Sequence, residues 1–303
     1  MQELKIKNVK FLHPIMNAAG CHCTTKNELS ELAESFSSAV VSKSSTLEHR
    51  EGNLHPRYYE NNVLSINSTG LANNGYKFYN NIGKKIKKLK PYFLSVAGIE
   101  KGDNLKIINS LKTINSLQGS QNFDFIELNL SCPNVIGKSQ IGYDSEATYE
   151  TLRTVFEINS TNLNIGLKLP PYFDMMQFNI MADIFKEFPI SFLTCINSLG
   201  NGFVFDENYE PSILPKNGYG GIGGLVIKPF GLSNVRKFHE ILSNIPIIGC
   251  GGITKGRDIY EYLLSGATLV QVGTQLVKEG PGVFRRLLNE LIIELDKKNK
   301  KRT

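Results

Sequence analysis

Short runs of branched, aliphatic and aromatic residues punctuate the chain, each bounded by glycine, proline or polar residues. Runs of this length and composition read as strands buried on both faces, as in a parallel sheet. They predict strands at 14–18, 39–43, 92–97, 125–130, 164–169, 192–197, 246–249 and 268–272. Between them, apolar residues recur at helical spacing over 26–36, 105–117, 145–157, 176–188, 232–242, 256–264 and 281–298. Cap-like residues stand at the start of two of these, Asp103-Asn104 and Asp144-Ser145-Glu146. Eight strands alternating with helices predict a (β/α)8 TIM barrel. An open dinucleotide-binding sheet usually has fewer strands, and no G-x-G-x-x-G follows the first strand. No internal repeat and no linker rich in Pro, Gly or Ser divides the chain, so the expected unit is one domain over 1–303.

Three predicted connections are too long for simple barrel turns: 44–75, 131–144 and 198–229. Each follows a strand, so each belongs over the C-terminal face of the barrel, where active sites are built.

Composition narrows the class further. With 303 residues and 41% hydrophobic content, one large core is within reach. No apolar stretch approaches the roughly 18 residues that span a bilayer, and MQELKIKNVKF lacks the apolar stretch of a leader. The expected location is the cytoplasm, without membrane attachment. The formal charge of +6 gathers in GKKIKKLK (83–90) and KKNKKRT (297–303). Neither run carries interleaved aromatics, so both read as solvated surface and no nucleic acid is expected. Cys21, Cys23, Cys132, Cys195 and Cys250 are odd in number and irregular in spacing. That excludes a disulfide framework, Cys21-His22-Cys23 is too tight for a zinc site, and no metal is expected.

The chemistry collects at the strand ends. Asn17, Lys43, Asn129, Lys168 and Asn197-Ser198 close the first, second, fourth, fifth and sixth strands. Burying such groups costs several kcal/mol unless they are paired, so an anionic or polar ligand is expected at the barrel mouth. GCGGI (249–253) and VGT (272–274) follow the last two strands, where barrels commonly hold phosphate on backbone N–H groups. GGIGG (220–224) offers further close-approach backbone. Cys132 opens a loop directly after the fourth strand, beside the polar cluster, and reads as reactive rather than core. Cys195 and Cys250 lie within apolar strands and read as core, whereas Cys21 and Cys23 are placed to line the site.

These residues carry a resemblance. KSSTLEHREGN (43–53), INSTGLAN (66–73), ELNLSCPNVIGK (127–138), LKLPPYFD (167–174), CINSLGNG (195–202), GYGGIGG (218–224) and GCGGI (249–253) resemble the class 1A dihydroorotate dehydrogenases, the soluble fumarate-linked branch of that family. The resemblance implies FMN, oxidation of (S)-dihydroorotate to orotate in pyrimidine synthesis, fumarate as electron acceptor, and a homodimer. It implies that Cys132 removes the C5 proton. Lys43, Asn67, Gly70, Leu71, Asn129, Asn134, Asn197 and Ser198 then surround the substrate. Ala18, Ala19, Gly20, Lys43, Ser44, Asn129, Lys168, Ile196, Gly223, Gly251, Gly252, Gly273 and Thr274 contact FMN.

The sequence departs from the family pattern at Ala19, Thr69, Ile136 and Ser139, none of which removes a catalytic group. The alternative within the family is a class 1B subunit passing electrons to NAD through an iron–sulfur partner. Outside it stand a lyase using Lys168 as a Schiff-base lysine and a nucleic-acid-binding barrel. The lyase leaves Cys132 and the glycine turns without a purpose.

Overall fold

The structure, a computed structural model, describes residues 4–131, 140–158 and 163–300. Eight parallel strands form the central sheet: β1 (Ile15–Asn17), β2 (Val40–Val41), β3 (Tyr92–Val96), β4 (Phe125–Asn129), β5 (Ile165–Leu169), β6 (Leu193–Cys195), β7 (Ile247–Cys250) and β8 (Leu269–Val272). Every one falls inside or within a residue of a predicted run. Helices follow the strands in turn: α1 (Lys26–Glu34), α2 (Tyr76–Ile86), α3 (Asp103–Gln118), α4 (Ser145–Ile158), α5 (Met175–Lys186), α6 (Lys228–Ile241), α7 (Gly256–Leu264), α8 (Thr274–Glu279) and α9 (Val283–Lys300). The predicted caps divide. Asp144 accepts from the Ala147 N–H at 2.9 Å and caps α4, whereas Asp103 points backward to the N–H groups of Ile99 and Glu100.

Helix α2 was not predicted. Its inward face carries Tyr76, Tyr79, Asn80, Gly83 and Ile86, so the helical spacing is present without an aliphatic stripe to display it. Part of the basic run 83–90 lies on its outer side and end.

The strands follow the order β1-β8-β7-β6-β5-β4-β3-β2, and ladder pairing joins each neighbour in that series. The remaining seam, between β1 and β2, is closed differently. The Asn17 amide donates to the Val41 carbonyl at 2.8 Å and accepts from the Val41 N–H at 2.8 Å. Below it, the Ser38 N–H donates to the Ile15 carbonyl at 2.9 Å. Asn17 is therefore a structural clasp, fully buried and off the cavity wall, and not one of the ligand-facing groups expected from its position.

Side chains inside the barrel lie in layers, because alternate residues of a strand share a face. Phe93, Phe125 and Phe192 pack together near the N-terminal end, with Phe93–Phe125 centroids 4.6 Å apart. Phe11 caps this cluster, and a small antiparallel hairpin, Lys5–Ile6 with Val9–Lys10, sits alongside in the same packing unit. Gly166 leaves its space to the Phe192 ring. Two residues further along β4 and β6 the layer turns polar, with Glu127 and Thr194.

The long connections after β2 and β6 build one roof. Tyr58–Glu60, Leu64–Asn67, Leu199–Phe203 and Tyr219–Gly224 form a four-stranded antiparallel sheet where the sequence predicts only long connections. Glycine is what lets it pack. A Cβ at Gly220 would lie 2.6 Å from the Asn67 carbonyl, so part of the GGIGG stretch admits a neighbouring strand rather than a ligand.

Asn17→Leu removes the clasp and leaves the Val41 N–H and C=O buried without partners, which should destabilise the protein by roughly 2–4 kcal/mol. Denaturant unfolding of the two proteins measures this. An unchanged midpoint would mean that the helices alone hold the barrel shut.

Candidate functional site

The C-terminal mouth of the barrel opens into a cavity of about 410 Å³, roofed by the four-stranded sheet. That size lies in the range of small-molecule and cofactor pockets. From β1 come Ala18, Ala19 and Gly20, and from β2 Lys43 and Ser44. Asn129 ends β4, Lys168 lies within β5, and Ile196, Asn197 and Ser198 follow β6. Gly251 and Gly252 follow β7, Gly273 and Thr274 follow β8, and the roof adds Asn67, Leu71 and Gly223. All of these sequence-predicted positions line one cavity. Gly70 lies behind the wall, at φ +65°, where a side chain would run into Asn53. Leu71 also adopts a left-handed φ, +56°, and the Asn73 amide fixes it by donating to its carbonyl at 2.7 Å. Cys132 and Asn134 lie outside the described residues, as do Ile136 and Ser139.

Lys43 is buried and donates from Nζ to the Gly20 carbonyl at 3.1 Å, across the seam that Asn17 closes. Asn129 donates to Ser44 Oγ at 3.1 Å and accepts from the Ser131 N–H at 3.0 Å. Asn197 donates to the Ser131 carbonyl at 3.1 Å and hydroxyl at 3.0 Å. The two asparagines are thus tied to each other through Ser131, which is not among the sequence-predicted site residues. Each amide carries both a donor and an acceptor, the complement of a ring with alternating C=O and N–H groups.

Lys168 is almost fully buried and donates from Nζ to Gln271 Oε1 at 2.7 Å. Burial works against its charge. The nearby Cys250 and Glu127 outweigh burial, and its pKa is raised above the ordinary lysine value. Cys250, expected in the core, is indeed buried but forms part of the cavity wall. Cys21 lines the cavity too; burial raises its thiol pKa, against the pull of Lys43. Cys23 sits behind the wall, pushed up to about 12 by burial, and its sulfur accepts from the Gly20 N–H.

The glycine turns are shaped by close neighbours. Gly252 adopts φ +67°, and a Cβ there would lie 2.6–2.9 Å from Lys228 backbone and Cβ atoms. A Cβ at Gly223 would approach Ser65 Oγ at 2.8 Å and Thr274 Oγ1 at 3.3 Å. Those two hydroxyls are themselves bonded at 2.9 Å, joining the roof to the start of α8. Glycine at 251, 252 and 273 leaves backbone open at the ends of β7 and β8, as an approaching phosphate requires.

Residues 1–295 match the dihydroorotate dehydrogenase family model. The chain belongs to that family. It is 46% identical over 305 residues to dihydroorotate dehydrogenase A (fumarate) of Lactococcus lactis subsp. lactis, covering 98% of this chain and 95% of the relative. It is 47% identical over 297 residues to dihydroorotate dehydrogenase (fumarate) of Lachancea kluyveri, covering 96% and 92%. The fold is also that of a solved dihydroorotate dehydrogenase from Eimeria tenella in complex with ferulenol, at TM-score 0.79 and 18% identity, covering 97% of this chain and 84% of that one. Among the described residues no cluster of His, Cys, Asp and Glu is arranged to hold a metal, and no helix is long and apolar enough to cross a membrane.

The dehydrogenase fold braces the β7 turn from behind with one carboxylate. Asp258 is buried and accepts from the Thr254 N–H and hydroxyl, the Lys255 N–H and Lys228 Nζ, at 2.7–3.0 Å. Burial pushes its pKa up, but Lys228 and Thr254 more than offset this and hold it below the usual carboxylate value. A folded-state pKa below the unfolded one adds stability that is present above the unfolded value and lost as pH falls through the folded value. Asp258→Asn should therefore cost roughly 2–3 kcal/mol at pH 7. Denaturant unfolding from pH 7 downward should show that gap narrowing below about pH 4. A gap independent of pH would assign the effect to shape rather than charge.

Proposed function

We propose that this chain oxidises (S)-dihydroorotate to orotate, a step of pyrimidine synthesis, with FMN held in the barrel-mouth cavity and fumarate as the oxidant. The observation that carries this reading is the convergence, on one cavity, of two buried lysines, paired asparagine amides and the open glycine turns after β7 and β8. That donor set fits FMN. Gly251, Gly252, Gly273 and Thr274 offer backbone and hydroxyl donors to a phosphate, and Ala18, Ile196 and Gly223 offer an apolar slot. Lys43 and Lys168 bring positive charge. When bound, FMN supplies the hydride acceptor that no amino-acid side chain provides.

This chain's own residues do the rest. Lys43 takes the substrate carboxylate, and Asn67, Asn129 and Asn197, with Ser198 and Leu71, hold the ring in one orientation. Asn134 completes that shell, and Gly70 supports the adjoining Leu71 from behind the wall. Cys132 accepts the C5 proton of dihydroorotate, and a neighbouring cation or hydrogen-bond donor supports its thiolate. Lys168 faces the cavity as a buried cation and stabilises negative charge that develops there.

Fumarate uses the same opening. It is a flat dicarboxylate, and Lys43 and the asparagines already suit a carboxylate beside an unsaturated carbon. The curated relatives quoted above are named for fumarate, which favours this acceptor over NAD through an iron–sulfur partner. Cys132 would then give that proton to fumarate, which takes up the two electrons as hydride and leaves as succinate. One shared pocket obliges orotate to leave before fumarate enters, giving a double-displacement pattern. The homodimer expected from the resemblance belongs to the same proposal and is tested by sedimentation.

Purified protein should release FMN on acid precipitation, and its visible spectrum should bleach when dihydroorotate is added without oxygen. Plots against dihydroorotate at several fixed fumarate concentrations should be parallel, with orotate competitive against fumarate. Cys132→Ala should slow flavin bleaching by roughly 10² to 10⁴ while leaving orotate binding intact. Protein that takes up no FMN, or turnover with NAD but not fumarate, would overturn the reading.

A further inference from the structure

The polar layer inside the barrel holds a carboxylate that the proposed reaction does not use. Glu127 lies mid-strand on β4, fully buried, two residues below Asn129. Its Oε2 accepts from the Gln271 amide at 2.7 Å and from the Thr194 hydroxyl at 2.9 Å. Its Oε1 has no hydrogen-bond partner among the described residues. Gln271 lies mid-strand on β8, and its own carbonyl accepts from Lys168 Nζ at 2.7 Å. A hydrogen-bonded chain thus runs from the cavity wall into the barrel: Lys168, Gln271, Glu127.

The polarity of this chain is forced. An ammonium group only donates, so Gln271 must turn its oxygen toward Lys168 and its NH₂ away. That NH₂ needs an acceptor, and the Thr194 hydroxyl donates to the same oxygen. Two donors converging on Oε2 are the pattern of an ionised carboxylate. Burying such a charge is costly unless it is compensated, and the compensating cation is Lys168, one amide away. Lys168 and Gln271 both line the cavity and Glu127 does not.

We propose that Glu127 is a positioning and charge-balancing residue for the flavin: through Gln271 it holds Lys168 at the cavity wall and offsets part of the positive field that Lys168 presents there. This rests on the FMN reading above. A cation beside the cofactor favours its negatively charged reduced form and so raises its reduction potential. A buried anion behind that cation lowers the potential again. Glu127 accordingly keeps the bound flavin easier to reoxidise than Lys168 alone would make it, which suits an enzyme that must hand its electrons on after every turnover.

The experiment uses the full chain, with Glu127→Gln as the isosteric change that removes the charge. Three quantities are read: the dissociation constant of FMN from the apoprotein, the midpoint potential of the bound flavin, and the affinity for sulfite. Sulfite adds to flavins to give an anionic adduct, so its affinity reports local positive charge without turnover. The expected result is retained FMN binding, sulfite affinity about tenfold tighter, and a potential higher by about 30 mV, the two-electron equivalent of a tenfold change. Gln271→Met, which severs the chain at similar side-chain length but leaves the Glu127 charge, should free Lys168 from its position and so lower the potential and weaken sulfite binding. Unchanged values in both variants would overturn the proposal. A fall in potential in Glu127→Gln would also overturn it, because Glu127 would then only hold Lys168 in place. Loss of FMN from a folded Glu127→Gln protein would assign Glu127 to cavity shape instead. If the unaltered apoprotein itself takes up no FMN, the flavin reading fails first, and the two failures are thereby distinguished.

Discussion

Everything at the mouth of this barrel depends on β1 and β2 lying side by side, and they have no ladder of their own to keep them there. A sheet becomes a barrel only when its first and last strands meet. Here a side-chain amide makes much of the closing contact, with Asn17 reproducing across Val41 the donor and acceptor of a missing backbone partner, beside the backbone bond from Ser38 to Ile15. One turn above, Lys43 reaches over the same seam to the Gly20 carbonyl. The side chain that binds the wall together thus stands directly beneath the cation proposed to bind substrate.

The interior reverses its chemistry along the barrel axis. Closely packed phenylalanines fill the N-terminal end, where nothing needs to react and dense packing contributes most. The next layer carries Glu127, Lys168, Thr194 and Gln271, each satisfied largely by the others. An apolar middle layer would be less costly to fold. A polar one places charge behind a cofactor pocket, where solvent cannot screen it.

Much of this was legible in the sequence because strands buried on both faces leave continuous apolar runs, and all eight were recognised from them. The cavity residues were legible for a related reason: two lysines, several asparagines and paired glycine turns converging on strand ends are more than a barrel needs for its own closure. What escaped notice did so for physical reasons. Helix α2 buries tyrosines, an asparagine and a glycine in place of leucines. The roof strands are short, and the two later ones are partly exposed and glycine-rich, which reads as loop. Asn17 looked like a ligand-facing residue because a strand-end asparagine can serve a ligand or a neighbouring strand, and only the seam decides. Glu127 and Gln271 did leave a signal, a polar residue with apolar neighbours on either side in mid-strand.

The roof joins parts of the chain that emerge from the ribosome far apart in time. Asn67 donates to Gly221, 154 positions later, and the strand Leu64–Asn67 is paired by Tyr219–Gly224 along one of its edges. Until that later segment is synthesised, the earlier strands can pair only with each other, leaving one hydrogen-bonding edge without its native neighbour. During synthesis the N-terminal third of the protein therefore carries a sticky hairpin, whose open edge finds its native neighbour only after residues 219–224 have been made.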